Sequence, residues 1–207
     1  IADNVTIGAF SVIGADVQIG EGTWIGNHVT IEGHTRIGQH NRIFHGSVLG
    51  AIPQDKKYAG ESTRLEIGDH NLIREFCTFN LGTIQDEGVT SIGDHNWIMA
   101  YVHLAHDCRL GNHLTIANCT QLAGHVKIDD FATLGGYTAV HQFCRIGAYA
   151  MIGADSLLLQ DVPPYVTVGG SPVQAHGTNS EGLKRRAFTP EAILNIRRAY
   201  KVIFRQG

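Results

Sequence analysis

A six-residue spacing of aliphatic side chains governs most of this 207-residue sequence. Ile7, Ile13, Ile19, Ile25, Ile31, Ile37, Ile43 and Leu49 follow it without a miss. So do Ile67, Ile73 and Phe79, and then Ile92, Ile98, Leu104, Leu110, Ile116, Leu122, Ile128, Leu134, Val140, Ile146, Ile152 and Leu158. Six is a multiple of the strand period of two and a poor match to the helical period of about 3.6, so the repeat means strand. Internal repetition of this kind builds a solenoid, a parallel β-helix of hexapeptides. Glycine often follows the anchor (Gly14, Gly26, Gly38, Gly111, Gly135, Gly153), as a tight corner requires. Small or compact residues such as Val17, Thr35, Cys77, Cys108 and Cys144 stand four places after it and are expected to point inward. Three hexads per turn predict an 18-residue coil of triangular section, with coils about 4.8 Å apart. Residues 18 apart then lie one above the other. The spacing does not fix the handedness of the coil.

Two polar stretches interrupt the anchors. Residues 50–66 keep the hexad phase, since Leu49 to Ile67 is 18; residues 80–91 change it, since Phe79 to Ile92 is 13. Both are expected to leave the solenoid as loops, where binding groups tend to sit. Beyond Leu158 the Pro- and Gly-bearing QDVPPYVTVGGSPVQAHG reads as an exit. Thr189-Pro190-Glu191 then opens a helix with the stripe Ile193, Ile196, Tyr200 and Ile203. Charge divides at the same point. Residues 1–180 carry nine Lys/Arg against 17 Asp/Glu, and residues 181–207 carry seven against two. The expected organisation is a β-helix over 1–165, an exit segment over 166–180, and over 181–207 the start of a C-terminal helical domain. The chain opens mid-pattern without an initiator Met (IADNVTIGAF) and is expected to be trimmed at both ends.

A net charge of −3 argues against a nucleic-acid binder, and no apolar run approaches a membrane span. Cys77, Cys108, Cys119 and Cys144 form no CxxC pair, which suits reduced thiols in a cytoplasmic protein. Three of the four hold inward positions and read as core rather than nucleophile.

The polar groups with chemical potential concentrate in YVHLAHDC (101–108), LAGH (122–125) and VHQ (140–142). His106 plus 18 is Gly124, and Asp107 plus 18 is His125. An imidazole is thereby set beside a bare glycine amide, and a carboxylate beside a second imidazole. A histidine can act as general base with a carboxylate to orient it, and a glycine N–H can donate to a developing oxyanion. This layout fits acyl transfer to a hydroxyl. His141 stands at a corner and could bind ligand or make a subunit contact. His103, His106, His125 and His141 could in principle hold zinc, but the stacked partner of His106 is a glycine, so no metal is expected. The basic tail (Lys184, Arg185, Arg186, Arg197, Arg198, Lys201, Arg205) suits phosphates or an acidic carrier protein, or is simply a solvated face.

IPQDKKYAGE (52–61), IMAYVHLAHDC (98–108), QLAGHVKIDDFATLGGYTAVHQFCRIGA (121–148), QDVPPYV (160–166) and NSEGLKRR (179–186) together resemble the bacterial acyl-[acyl-carrier-protein]–UDP-N-acetylglucosamine O-acyltransferases, which begin lipid A synthesis. The resemblance implies a left-handed parallel β-helix, a homotrimer, and sites in clefts between neighbouring chains. It implies transfer of a 3-hydroxyacyl group from acyl carrier protein to the glucosamine 3-hydroxyl of UDP-N-acetylglucosamine, without a cofactor. His106 then matches the general base, Asp107 its support and Gly124 the oxyanion donor. Asp55, Lys57, His103, His125, His141 and Gln142 match substrate-contacting positions; Asn179, Glu181, Arg185 and Arg186 match positions near nucleotide or carrier. Asn80-Leu81 departs from the His-Arg of many relatives and puts a sugar or nucleotide contact there in doubt. The sister family that N-acylates amino sugars is the alternative enzyme, a binding solenoid and a metal-dependent hydratase the more distant ones. Acyl length is open, with positions near Ala154 or Pro172 as candidate determinants.

Overall fold

The computed structural model describes residues 1–205. The chain winds through three sheets of ten, eight and seven strands, all parallel except the last strand of the ten, and most of them two residues long. Each hexad contributes one strand, and successive strands fall on successive faces, so each face collects every third strand. Pairing runs Ile7↔Ile25 and Ile25↔Ile43, then Ile98↔Ile116 and Ile116↔Leu134, the 18-residue stacking that the repeat predicts. Every anchor from Ile19 to Leu158 is buried inside the prism. Burying an Ile or Leu contributes about 1.5–3 kcal/mol, so the column of anchors, not any single short strand, holds the coil together.

The third residue after most anchors turns the corner in the left-handed region, with φ near +60° at His70, Asp107, His125 and Tyr149 among many. Half of the 12 histidines (His28, His40, His70, His95, His113 and His125) occupy this position. At the corner between the seven- and ten-stranded sheets, the rings of His40, His70, His95, His113, Phe131, Tyr149 and Tyr165 stack in one ladder, centroids 4.8–5.6 Å apart. The side chains of Asn41, Asn71 and Asn96 run beside it, buried.

The 18-residue rule fails across the two insertions. Ile43 pairs with Ile73 and Ile73 with Ile98, offsets of 30 and 25 residues. The first insertion keeps the hexad phase because it adds two hexads' worth of chain, yet it adds no coil. The strands Val48–Ala51 and Arg64–Ile67 flank it, and Thr78–Asn80 and Val89–Ile92 flank the second. Both loops therefore leave from the same corner, between the eight- and seven-stranded sheets.

After Leu158 the chain does not simply exit. Val166–Gly169 pairs with Met151–Ile152, and Gln174–Thr178 folds back antiparallel on it. Asn179 then caps α1 (Ser180–Arg185), its Oδ1 accepting from Gly182 N at 3.1 Å. This helix was not legible in the sequence pattern. Thr189 caps α2 (Pro190–Arg205), which buries Ile193 and leaves Ile203 exposed. Among the described residues, no helix is long and apolar enough to cross a membrane.

Candidate active site

The corner that emits both loops carries His106-Asp107 on one coil, Gly124-His125 on the next and Gln142-Phe143 on the one after. The peptide N–H of His125 donates to His106 O at 3.0 Å, and that of Phe143 to Gly124 O at 3.1 Å, which locks the three coils in register. A side chain at position 124 would collide with the coil below. A Cβ there would come 2.6–2.7 Å from Cε1 and Nε2 of His106, so only glycine lets the imidazole pack against that backbone.

His106 Nδ1 is 2.9 Å from Asp107 Oδ2. Asp107 is fully buried, and a buried carboxylate needs donors. The second loop supplies them: Thr83 N–H donates to Oδ1 at 2.8 Å and Thr83 Oγ1 to Oδ2 at 2.6 Å. Thr90 Oγ1 accepts from the Asp107 peptide N–H at 2.8 Å. With Nδ1 committed to Asp107, the free nitrogen of His106 is Nε2, 4.0 Å from Asp55 Oδ2 on the first loop. His125 stands edge-on to His106, centroids 5.0 Å apart, and stacks on Phe143 at 4.4 Å. Its Nδ1 lies 3.1 Å from Asp86 Oδ2 and 3.8 Å from Asp107 Oδ2. Burial works to raise the Asp86 carboxyl, but the His125 hydrogen bond and the Arg109 charge outweigh it and hold the group below the usual carboxylate range.

Asp55, Asp86, His106, Gly124, His125 and Phe143 line an open cleft of about 690 Å³ with Gln54, Lys56, Lys57, Gln85, Ala105, Ala123 and Gln142, and Asp107 lies buried behind it. At the corner between the seven- and ten-stranded sheets, the amide two residues past the anchor is capped from the coil above. Asp94 Oδ1 takes the Asp69 N–H, and Asn112 Oδ1 takes the Asp94 N–H, both at 2.7 Å. At the cleft this capping lapses: among the described residues nothing accepts from Gly124 N–H.

The zinc alternative does not survive in the form the spacing suggested. His103 bonds Thr78 Oγ1 at 2.8 Å and His141 its neighbour's carbonyl, Gln142 O, at 3.1 Å; neither lines the cleft. Burial lowers the His103 imidazole below its ordinary range. The group that could converge on a cation is His106, Asp107 and His125, with ligand atoms within 4.8 Å of one another. There, Asp107 Oδ2 is already engaged by both His106 and Thr83.

A profile described as UDP N-acetylglucosamine O-acyltransferase, domain 2, matches residues 161–207, and the bacterial transferase hexapeptide repeat matches 1–33, 16–51 and 90–124. The chain is 58% identical over its full length to the acyl-[acyl-carrier-protein]–UDP-N-acetylglucosamine O-acyltransferase of Thiobacillus denitrificans, 80% of which is covered. The chain belongs to this O-acyltransferase family. Its coil is the left-handed parallel β-helix, with a short C-terminal helical segment. LpxA from Acinetobacter baumannii superposes with a TM-score of 0.98 at 48% identity, covering all of this chain and 80% of that one. The Francisella novicida UDP-N-acetylglucosamine acyltransferase gives 0.97 at 47%, covering 99% and 75%.

Within one chain of this O-acyltransferase, the anticipated site residues form two groups, with His103 and His141 outside both. Asp55, Lys57, His106, Gly124, His125 and Gln142 line the cleft, with Asp107 buried behind His106, and Asp55 Oδ1 accepts from Lys57 N–H at 3.0 Å. Asn179, Glu181, Arg185 and Arg186 sit at the ladder corner instead: Asn179 Nδ2 donates to Tyr149 O, and the Arg186 guanidinium lies 4.7 Å over the Phe131 ring. Glu181 pairs with Lys184 on the surface. Ala154 and Pro172 do not line the cleft, and Leu81 is buried against Gly33. Thr83, Asp86, Thr90 and Arg109 were not anticipated. The one signal for Thr83, Asp86 and Thr90 was the polar, phase-shifting stretch itself; nothing in the pattern marked Arg109, which stands on the strand Arg109–Leu110.

Proposed function

We propose that this chain moves a 3-hydroxyacyl group from acyl carrier protein to the glucosamine 3-hydroxyl of UDP-N-acetylglucosamine, with His106 as general base. One observation carries the reading: a buried carboxylate takes the Nδ1 side of His106, so the Nε2 lone pair is presented over a glycine whose N–H is free. As the sugar oxygen attacks the thioester carbonyl, Nε2 takes the hydroxyl proton. Gly124 N–H donates to the oxyanion of the tetrahedral adduct. The adduct collapses, the C–S bond breaks, and the proton on Nε2 passes to the departing thiol. The cysteines do not suit a covalent alternative. Burial pushes the Cys77 and Cys108 thiols up to about 12 and raises Cys144 as well. The reaction as written draws on no cofactor.

Asp55, Lys57, His125 and Gln142 line the same cleft and are assigned to substrate contacts. A neighbouring chain of a homotrimer brings Asn179, Glu181, Arg185 and Arg186 toward the nucleotide or the carrier protein, and His103 and His141 keep the substrate-contact assignment that the resemblance gives them. The family's similarity over the whole chain supports this arrangement, and so does the separation of the two groups within one chain.

The test is purified protein given a panel of 3-hydroxyacyl carrier proteins with UDP-N-acetylglucosamine or its 3-amino analogue, thiol release being followed. His106→Ala should lose about 10²–10⁴-fold in kcat while keeping its fold and oligomeric state. Near-normal turnover in that variant would remove His106 from the role. Transfer only to the amine would move the chain to the N-acylating class.

A further inference from the structure

We propose that Asp86 is a positioning residue for His125, itself held by Arg109, and that it fixes His125 as the Nδ1–H tautomer so that Nε2 accepts a hydrogen bond from a substrate N–H or O–H group. The proposal rests on the acyl-transfer reading of the cleft for its consequence, though not for its geometry.

Asp86 rides on the second loop and uses both carboxylate oxygens. Oδ1 accepts from Arg109 Nη2 at 2.7 Å, and Oδ2 faces His125 Nδ1 at 3.1 Å. Arg109 stands on the strand Arg109–Leu110 of the rigid coil and reaches Glu87 Oε1 with Nη1 at 2.9 Å, so one guanidinium spans two successive loop acids. The loop is thereby tied to the coil at the residue that meets the imidazole. Asp86 is ionised at neutral pH, held below the usual carboxylate range, and an ionised carboxylate only accepts. The proton between it and His125 therefore sits on Nδ1.

The competing carboxylate is Asp107, 3.8 Å from the same nitrogen, beyond hydrogen-bond reach and already engaged by His106 and Thr83. The charged or titratable groups around His125 are Asp86, Asp107 and His106 in contact. Arg109 and Glu87 stand behind Asp86, and Asp55, Lys56 and Lys57 share the cleft. The ring itself cannot turn freely between Phe143 on its face and His106 at its edge. The corner thus holds two imidazole–carboxylate pairs. His106–Asp107 leaves a nitrogen to take a proton; His125–Asp86 leaves one to receive a donor. The tautomer that the second nitrogen shows is set by the bond the first one makes.

The experiment compares Asp86→Ala, Asp86→Asn, Arg109→Gln, His125→Ala and the Asp86→Ala/His125→Ala double variant in the full-length oligomer. ¹⁵N-labelled histidine reports the His125 tautomer without requiring turnover. Asp86→Ala should abolish the Nδ1–H preference and raise KM about tenfold, the worth of one hydrogen bond, for the same substrate whose KM rises in His125→Ala, with kcat changed less. Arg109→Gln should move the same KM by a smaller factor. In the His125→Ala background, Asp86→Ala should add nothing. Wild-type tautomer and KM in both Asp86 variants would overturn the proposal, as would a loss that persists in full without His125. If wild-type protein transfers no acyl group while the tautomer responds to Asp86→Ala, the acyl-transfer reading fails and the positioning stands.

Discussion

Asp107 spends two of its contacts on Thr83 and one on His106, and this division sets what the imidazole can do. A carboxylate with no exposure costs several kcal/mol unless its lone pairs are met. Thr83 meets them from one residue, with its peptide N–H and its hydroxyl, and so also fixes which oxygen faces Nδ1. Replacing the hydroxyl while keeping the β-branched shape separates the two functions. Thr83→Val should lower kcat about tenfold or more, since a hydrogen bond to a charged group contributes roughly 1.5–3 kcal/mol, and leave KM near its starting value. Thr83→Ser keeps the donor and should stay close to wild type. Steady-state kinetics with a melting curve for each variant checks this. A Ser variant as slow as the Val variant would mean that the methyl packing matters and the hydroxyl does not.

At the scale of the strand and the loop, the corner between the seven- and ten-stranded sheets shows how the coil is stapled away from the chemistry. Asn71 Oδ1 accepts from Asn96 N–H at 2.9 Å, and its Nδ2 donates to Gly93 O at 2.9 Å. Asn71→Leu fills the volume and orphans both backbone groups, each a loss of about 1–3 kcal/mol. Denaturant unfolding should show a destabilisation of about 2–6 kcal/mol, with turnover per folded molecule retained because Asn71 is buried in the prism and does not line the cleft. The same corner marks the limit of what the repeat discloses. An inward anchor every six residues is a local property, so the stacking of His106 on Gly124 follows from counting. The partners of Asp107 and His125 do not, because Thr83 and Asp86 reach them across 24 and 39 residues along a loop path that no period encodes. The ladder of His40, His70, His95 and His113 lay in plain view three places after each anchor. The two insertions hide it from the 18-residue count, because they stretch the offset to 30 residues between His40 and His70 and to 25 between His70 and His95.

On the scale of the whole molecule, a solenoid of triangular section separates what its corners carry. The cleft occupies the corner between the eight- and seven-stranded sheets, and the 179–186 segment lies against Tyr149 and Phe131 at the next corner. A closed ring of three copies allows one copy's corner to face another's, a head-to-tail contact that repeats around the axis. If each site takes its cleft from one chain and its basic segment from the next, two dead chains can repair each other. A chain with His106→Ala supplies an intact basic segment; a chain with Arg185→Glu and Arg186→Glu supplies an intact cleft. Unfolded together in equal amounts and refolded, they should form mixed trimers in which half the clefts and half the segments are sound. Random assortment then makes roughly a quarter of the sites complete, and the mixture should regain about a quarter of the wild-type rate from two inactive parents. A site built within one chain has no such recourse, because every chain in the mixture carries a defect of its own. A mixture as inactive as its parents, with mixed trimers demonstrated by differential tagging, would place the whole site in a single chain.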